Sequence, residues 1–195
     1  MGFQGSVVEQ DHGCVAAGQP VDDFGEPLVA GREILSKMPS FRTTRRVRHS
    51  PADMFDLVAD IEKYPQFVPL CAGMLVRNRS TDAQGRTVVV AEMTVSFKLI
   101  RETFTSRVTL DRENLQILVE YLDGPFSHMQ NKWSFQPDDG ESGCTIEFFI
   151  DYAFRSRMLG ALMGKMFDVA FRRFAEAFEQ RANVVYGRSL GLAGA

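Results

Sequence analysis

The chain lacks most of what would mark a metalloprotein, a nucleotide-binding enzyme or a membrane span. Its three cysteines, Cys14, Cys71 and Cys144, are odd in number and none stands in a CxxC pair. A disulfide framework and a zinc site are therefore not expected, and a reducing compartment is. No apolar run approaches the ~20 residues that cross a bilayer, so any membrane contact is expected to be peripheral. Phosphate-loop, dinucleotide and metal-ligand spacings are missing. So is a basic excess. The net charge is −3, and residues 1–38 carry six acids (Glu9, Asp11, Asp22, Asp23, Glu26, Glu33) against Arg32 and Lys37. That leaves 20 basic and 19 acidic residues over 39–195. A near-neutral body argues against DNA as a partner.

Phenylalanine is abundant: sixteen, against one Trp and four Tyr. Phe adds apolar bulk without a hydrogen bond, which suits a packed core and equally a pocket for an apolar ligand. Residues 1–38 are acidic, contain glycine and show no sustained periodicity, so they read as a disordered extension. They match neither a secretory signal nor a transit peptide. Met38 opens the patterned region and is expected to be the natural start, which N-terminal mass spectrometry of native protein would test.

From residue 39 the pattern is regular. FRTTRRVRH (41–49) reads as a strand. Ser50 as N-cap and Pro51 at the first helical position then start a helix whose Phe55, Val58 and Ala59 share one narrow face. It breaks by Tyr64-Pro65. Strands follow at GMLVRNRSTD, GRTVVVAEMTVSFKL, IRETFTSRVTL, LQILVEYL, SHMQNKWSFQ and CTIEFFIDYAF, with turn signals between them. In the second of these Met93, Val95, Phe97 and Leu99 alternate with Thr94, Ser96 and Lys98, as a strand with one wet face should. Phe104, Val108 and Leu110 alternate in the same way, as do Met129, Asn131, Trp133 and Phe135, and Ile146, Phe148, Ile150, Tyr152 and Phe154. Ser156 to Tyr186 reads as a helix of about 30 residues. Leu159, Leu162, Met163, Met166, Ala170, Phe174, Ala177 and Phe178 line one face, widened by Phe167 and Phe171. The residues after Gly187 read as a frayed tail.

This order has one economical solution: an α+β helix-grip fold, in which a curved antiparallel sheet of about seven strands wraps a long C-terminal helix. A void between them would be lined by the Phe side chains and by Met163 and Met166, which fit irregular gaps. The segment YPQFVPLC (64–71) holds Phe67, Val68, Leu70 and Cys71 beside two prolines that exclude a regular helix or central strand. It reads as a stiff, extended apolar rim.

Catalytic constellations are weak. His128 and Cys144 lie on different strands with no third member to orient them, and His128 is expected on the solvated side. His49 reads as an element boundary and Cys71 as a small apolar filler. Asn131 alternates with Met129 and Trp133, so its amide should face inward, either to a structural cross-strand bond or to a ligand carbonyl or water. Glu102 raises the same question. Arg101 and Arg107 are expected to face solvent. Asp123-Gly124-Pro125 reads as a turn that positions Phe126. Arg155, Arg157 and Lys165 oppose the helix dipole near the start of the last helix and hint at an anionic surface.

Taken together, YPQFVPLC after a short helix, YLDGPFSHMQNKWSF, and FFIDYAF before a long helix resemble the coenzyme Q-binding START-domain family. That family lies within the polyketide cyclase/dehydrase-like (SRPBCC) helix-grip superfamily, close to ribosome association toxins of the RatA type. The resemblance covers about residues 39–187. It implies a non-enzymatic lipid chaperone, with no cofactor, that binds ubiquinone or a related polyprenyl quinone and supports respiratory electron transport and quinone biosynthesis. Such a protein would be cytoplasmic and peripheral on the inner membrane of a bacterium. Phe67, Val68, Leu70, Met93, Val95, Phe97, Phe104, Asn131, Trp133, Phe148, Tyr152, Leu159, Leu162, Met163, Met166, Phe167, Ala170 and Phe174 would line the cavity and its rim. A ribosome-binding factor that blocks subunit association, and an aromatase/cyclase-like enzyme, are the alternatives.

Overall fold

A computed structural model describes residues 40–138 and 143–187, with backbone alone at 162–169, 171 and 172. The expected leader 1–38 and frayed tail 188–195 lie outside the described residues.

Seven strands form one antiparallel sheet: β1 Ser40–Val47, β2 Cys71–Thr81, β3 Thr87–Phe97, β4 Ile100–Asp111, β5 Gln116–Asp123, β6 Phe126–Pro137 and β7 Cys144–Phe154. Their spatial order is β1-β7-β6-β5-β4-β3-β2. Strands β2 to β7 thus run as a meander, and β1 closes onto β7 with Ser40 opposite Asp151 and Val47 opposite Cys144. The edge strand β2 carries two register shifts, at Cys71/Gly73 and Val76/Asn78. Such bulges bend a strand and increase its twist.

Helix α1, Pro51–Ala59, starts as the sequence dictates: Ser50 Oγ accepts from the Asp53 backbone N–H at 3.1 Å. Its buried face is wider than the expected stripe, because Met54 and Leu57 are buried beside Phe55 and Val58. The chain does not then extend. Ile61–Gln66 forms a 3₁₀ helix with Pro65 inside it, a tighter coil in which the missing proline N–H costs little over so short a run.

The C-terminal helix α2, Arg157–Val185, has Ser156 as its N-cap, with Oγ accepting from the Leu159 N–H at 3.3 Å. Its last turns are tied down. Glu179 pairs with Arg45 of β1 at 2.5 Å, and Asn183 Oδ1 meets His49 Nε2 at 2.7 Å. His49 therefore does mark a boundary, and it also ties the β1–α1 connection to the last turns of α2. The buried core unites α1, the inner faces of β3 to β7, and Phe178 and Ala182 of α2.

Two turns depart from simple alternation. Lys98 and Leu99 form a two-residue hairpin loop between the paired Phe97 and Ile100, with Lys98 at φ 53°. Leu99, expected on the apolar face of β3, is fully exposed at the tip. At the start of β6 the register shifts between Phe126 and His128. The shift lets Phe126 and Met129 both turn inward although they stand three residues apart.

Candidate functional site

Period-two alternation gives the sheet an inner face, and cross-strand pairing aligns that face in rows. One row reads Ala91–Ser106–Tyr121 across β3, β4 and β5. The next reads Val89–Val108–Val119–Asn131–Ile150–Phe41 across β3 to β7 and β1. Against these rows lie α1, the 3₁₀ helix and Phe174 and Phe178 of α2, and between them is a cavity of about 120 Å³. Its size is near that of the ~150 Å³ apolar cavity known to hold benzene. The space as it stands therefore takes one ring or one branched five-carbon unit.

Val68, Leu70, Met93, Val95, Phe104, Asn131, Trp133, Phe148, Tyr152 and Phe174 stand on the wall. Four other expected residues do not. Phe67 turns away and packs edge to face on Tyr64 and Phe178, with centroids 5.9 and 5.2 Å apart. It borders a separate surface groove with Asp56, Asp60, Lys63 and Arg181. Phe97 sits at the β3–β4 hairpin under Lys98, whose Nζ is 5.3 Å from the ring. Ala170 is buried in α2 and Leu159 packs on the core, and neither reaches the cavity. The side chains of Leu162, Met163, Met166 and Phe167, like that of Lys165, lie outside the described residues.

Residues outside the expected cavity set also line the wall. Ser106, Phe126, Met129 and Phe178 belong to it. Ser106 shares strand parity with Phe104 and Val108, so the signal was present, but its hydroxyl hid it. Tyr64 and Val58 come from the α1 side, where no alternation points inward. Tyr64 Oη donates to the Val58 carbonyl at 2.5 Å, and burial drives its pKa upward, so it stays a neutral donor.

The rim is held by backbone. The Val68 N–H donates to the Tyr64 carbonyl at 2.8 Å, and the Ser96 N–H donates to the Leu70 carbonyl at 2.9 Å. Between these anchors Leu70 adopts φ 66°, left-handed space that a leucine rarely occupies. Strain of this kind persists only where the surroundings over-determine the backbone.

Charge is kept off the wall: among its described residues the polar side chains are hydroxyls, one indole and one amide. The Asn131 backbone pairs with Val119 and Ile150, but its buried Oδ1 meets no donor among the described residues. Glu102 is half-buried and off the wall. His128 lies, as expected, on the outer side of β6 away from Met129 and Trp133, with its side chain 41% exposed and Nε2 3.1 Å from Asp151 Oδ2. It pairs in register with Ala153, nine residues along β7 from Cys144, or ~30 Å at ~3.3 Å per residue. The two cannot act as base and nucleophile. Burial raises both Cys71 and Cys144 to a pKa of about 11, so both are weak thiolate formers. Arg155 is already engaged: its Nε donates to the Phe126 carbonyl at 2.8 Å and its backbone N–H to the Pro125 carbonyl at 3.0 Å. It clamps the β5–β6 turn.

The profile described as "Polyketide cyclase / dehydrase and lipid transport" matches residues 47–179. The ribosome association toxin RatA of Escherichia coli K12 is 36% identical over 149 residues, covering 76% of this chain and 90% of that one. The mitochondrial coenzyme Q-binding protein COQ10 homolog B of Xenopus laevis is 29% identical over 174 residues, covering 82% and 68%. The solution structure of the 18 kDa protein CC1736 from Caulobacter crescentus is 35% identical, with a TM-score of 0.65 over 77% of this chain and 99% of that one. A wrapped sheet, a capped terminal helix, an uncharged cavity and these likenesses converge on one assignment: the chain belongs to the polyketide cyclase/dehydrase and lipid transport family.

Proposed function

We propose that the chain is a carrier for a polyprenyl quinone, holding part of the lipid in its cavity and performing no chemistry on it. The observation that carries this reading is the apolar, uncharged cavity behind a backbone-stapled rim. Its described wall offers no carboxylate, imidazole or thiolate for acid–base or nucleophilic work, which counts against the cyclase alternative. The relative named as a coenzyme Q-binding protein supports the ligand class.

Cavity size limits how much lipid leaves the bilayer. An isoprene unit gains roughly 3–4 kcal/mol on leaving water, at ~0.8 kcal/mol per CH₂. About one unit, or the ring, fits without rearrangement. A second void of about 20 Å³ shares Val58, Trp133, Phe148, Phe174 and Phe178 with the first, so ring rotations there would lengthen the site. The rest of the tail stays in the membrane, which already solvates it, so exchange is nearly neutral and release is easy.

The sheet end that bears the rim supplies a docking face for an anionic bilayer. Leu99, Met158 and Leu122 are 102%, 74% and 42% exposed there, with Lys98, Arg101 and Arg157 beside them and Asp123 as the exposed acid. Cations around protruding apolar side chains are the pattern of interfacial binding.

Organic extraction of gently purified protein followed by mass spectrometry tests the reading. Long-chain quinone at near-stoichiometric yield is expected. Delipidated protein that ignores added quinone would overturn it. The higher identity to a ribosome association toxin favours a second reading, a factor that binds a ribosomal subunit, and co-sedimentation with isolated subunits in the absence of quinone binding would select it.

A further inference from the structure

Asn131 stands on the cavity wall with hydrophobic neighbours on every side. Met129 and Trp133 flank it along β6, and Val119 of β5 and Ile150 of β7 lie directly opposite it. All four line the same cavity, and none offers an amide, a hydroxyl or a charge. Among the polar atoms of the described wall, Asn131 Oδ1 is the one left buried without a partner. Tyr64, by contrast, already donates to the Val58 carbonyl. Leucine has nearly the same shape and would be the more stable residue here, because an orphaned buried polar group carries its full desolvation penalty. The amide also lies deep. Neighbouring strands are antiparallel throughout, so β2 and β6 both begin at the sheet end that bears the rim. Asn131 is five residues into β6 from Phe126, or ~16 Å at ~3.3 Å per residue.

Resting on the carrier reading, we infer that the lipid enters ring first and sets one ring oxygen on the Asn131 amide, in its oxidised and reduced forms alike. An amide carries an acceptor oxygen and a donor NH2 on one planar head, and a half-turn of that head exchanges their places. A quinone carbonyl accepts a hydrogen bond from the NH2, and a hydroquinone hydroxyl donates one to the oxygen. The same side chain thus serves both forms. A lipid that entered tail first would suit the surrounding hydrocarbon but leave Asn131 unpaired. The cavity of about 120 Å³ takes a ring or one isoprene unit, and the amide decides for the ring. The tail then runs back past Leu70 to the rim and the bilayer.

The test compares rings with and without oxygens. Full-length wild type, Asn131→Leu and Asn131→Ala are equilibrated anaerobically with phosphatidylcholine vesicles holding 2-decyl-1,4-benzoquinone, its hydroquinone or decylbenzene. Ligand on the separated protein is quantified by mass spectrometry. Wild type is expected to carry both oxygenated ligands, within about threefold of each other. Both variants should lose them about tenfold and carry decylbenzene at least as well as wild type, which also shows that they are folded. Ligand-free Asn131→Leu should melt at or above the wild-type temperature, since it removes an orphan with little change of shape. Variants that keep the quinone and the hydroquinone overturn the anchor and point to a tail-first lipid, with the carrier reading intact. A loss confined to one redox form overturns the shared site. Loss of all three ligands together with a lowered melting temperature makes the amide structural and overturns the anchor as well. Wild type that takes up neither quinone nor hydroquinone defeats the carrier reading itself.

Discussion

The Phe67 ring meets the Phe178 ring edge to face, with centroids 5.2 Å apart and planes at 86°. Phe178 also lines the cavity, so Phe67 braces the wall from behind. The Arg181 guanidinium sits 5.4 Å from the centroid of Phe67, which adds a cation–π contact. Phe67→Ala is expected to cost about 2–3 kcal/mol, below the ~3–5 kcal/mol of a fully buried phenylalanine. Phe67→Asp should cost at least as much. Urea denaturation checks both, and a loss under ~0.5 kcal/mol, the range of an ordinary surface site, would return Phe67 to an exposed rim.

Gly124 is required at the β5–β6 turn. Its φ is 131°, and a Cβ there would lie 2.8 Å from Phe104 Cβ and 2.9 Å from the Thr103 carbonyl oxygen. Neither neighbour can swing clear, because one is backbone and the other is a side chain's root. Gly124→Ala is expected to destabilise by about 2–4 kcal/mol. It should also disturb the T-shaped contact of Phe104 with Phe126, 5.4 Å between centroids, and so the cavity wall. Thermal melting with and without a bound short-chain quinone reads both effects.

The β3–β4 hairpin separates stability from docking. Lys98 is exposed at φ 53°, in the first position of a two-residue loop, where glycine is favoured. Lys98→Gly should stabilise by about 1 kcal/mol. Leu99→Glu, at a fully exposed side chain, should leave stability within ~0.5 kcal/mol yet sharply reduce co-flotation with vesicles rich in anionic lipid. Undiminished flotation would remove this hairpin from the docking face.

The two buried thiols give a pH signature. Burial lifts Cys71 and Cys144 from an ordinary value of 9.0 to about 11. The unfolded chain therefore ionises first as pH rises. The contribution of these thiols to stability is whole below pH 9 and falls between pH 9 and about 11. The Cys71→Ala/Cys144→Ala double variant should lose part of that decline in urea melts. Native protein at pH 8 should also react slowly with iodoacetamide at both positions.

Much of this molecule was legible locally. Ser50-Pro51 and Ser156 start helices because the hydroxyl and the proline act on their own next few residues, and both caps form. Alternation in β3, β4, β6 and β7 follows from the pleat, so the inward parity of Met93, Val95, Phe104, Asn131, Trp133, Phe148 and Tyr152 needed no partner strand to be read. The seven-stranded sheet and its terminal helix follow from the order of elements.

Other features belong to the tertiary structure, because they depend on where a second chain segment lies. Parity places Leu99 inward, but the tight turn that pairs Phe97 with Ile100 throws it out. Two prolines rule out a long helix but not the single 3₁₀ helix that docks beside α1, and that docking decides that Val68 faces the cavity while Phe67 faces Phe178. The hydrophobic surround of Asn131 exists only through strand register, since Val119 and Ile150 come from the neighbouring strands β5 and β7. Sequence sets which side of its own strand a residue occupies; pairing sets what it meets there.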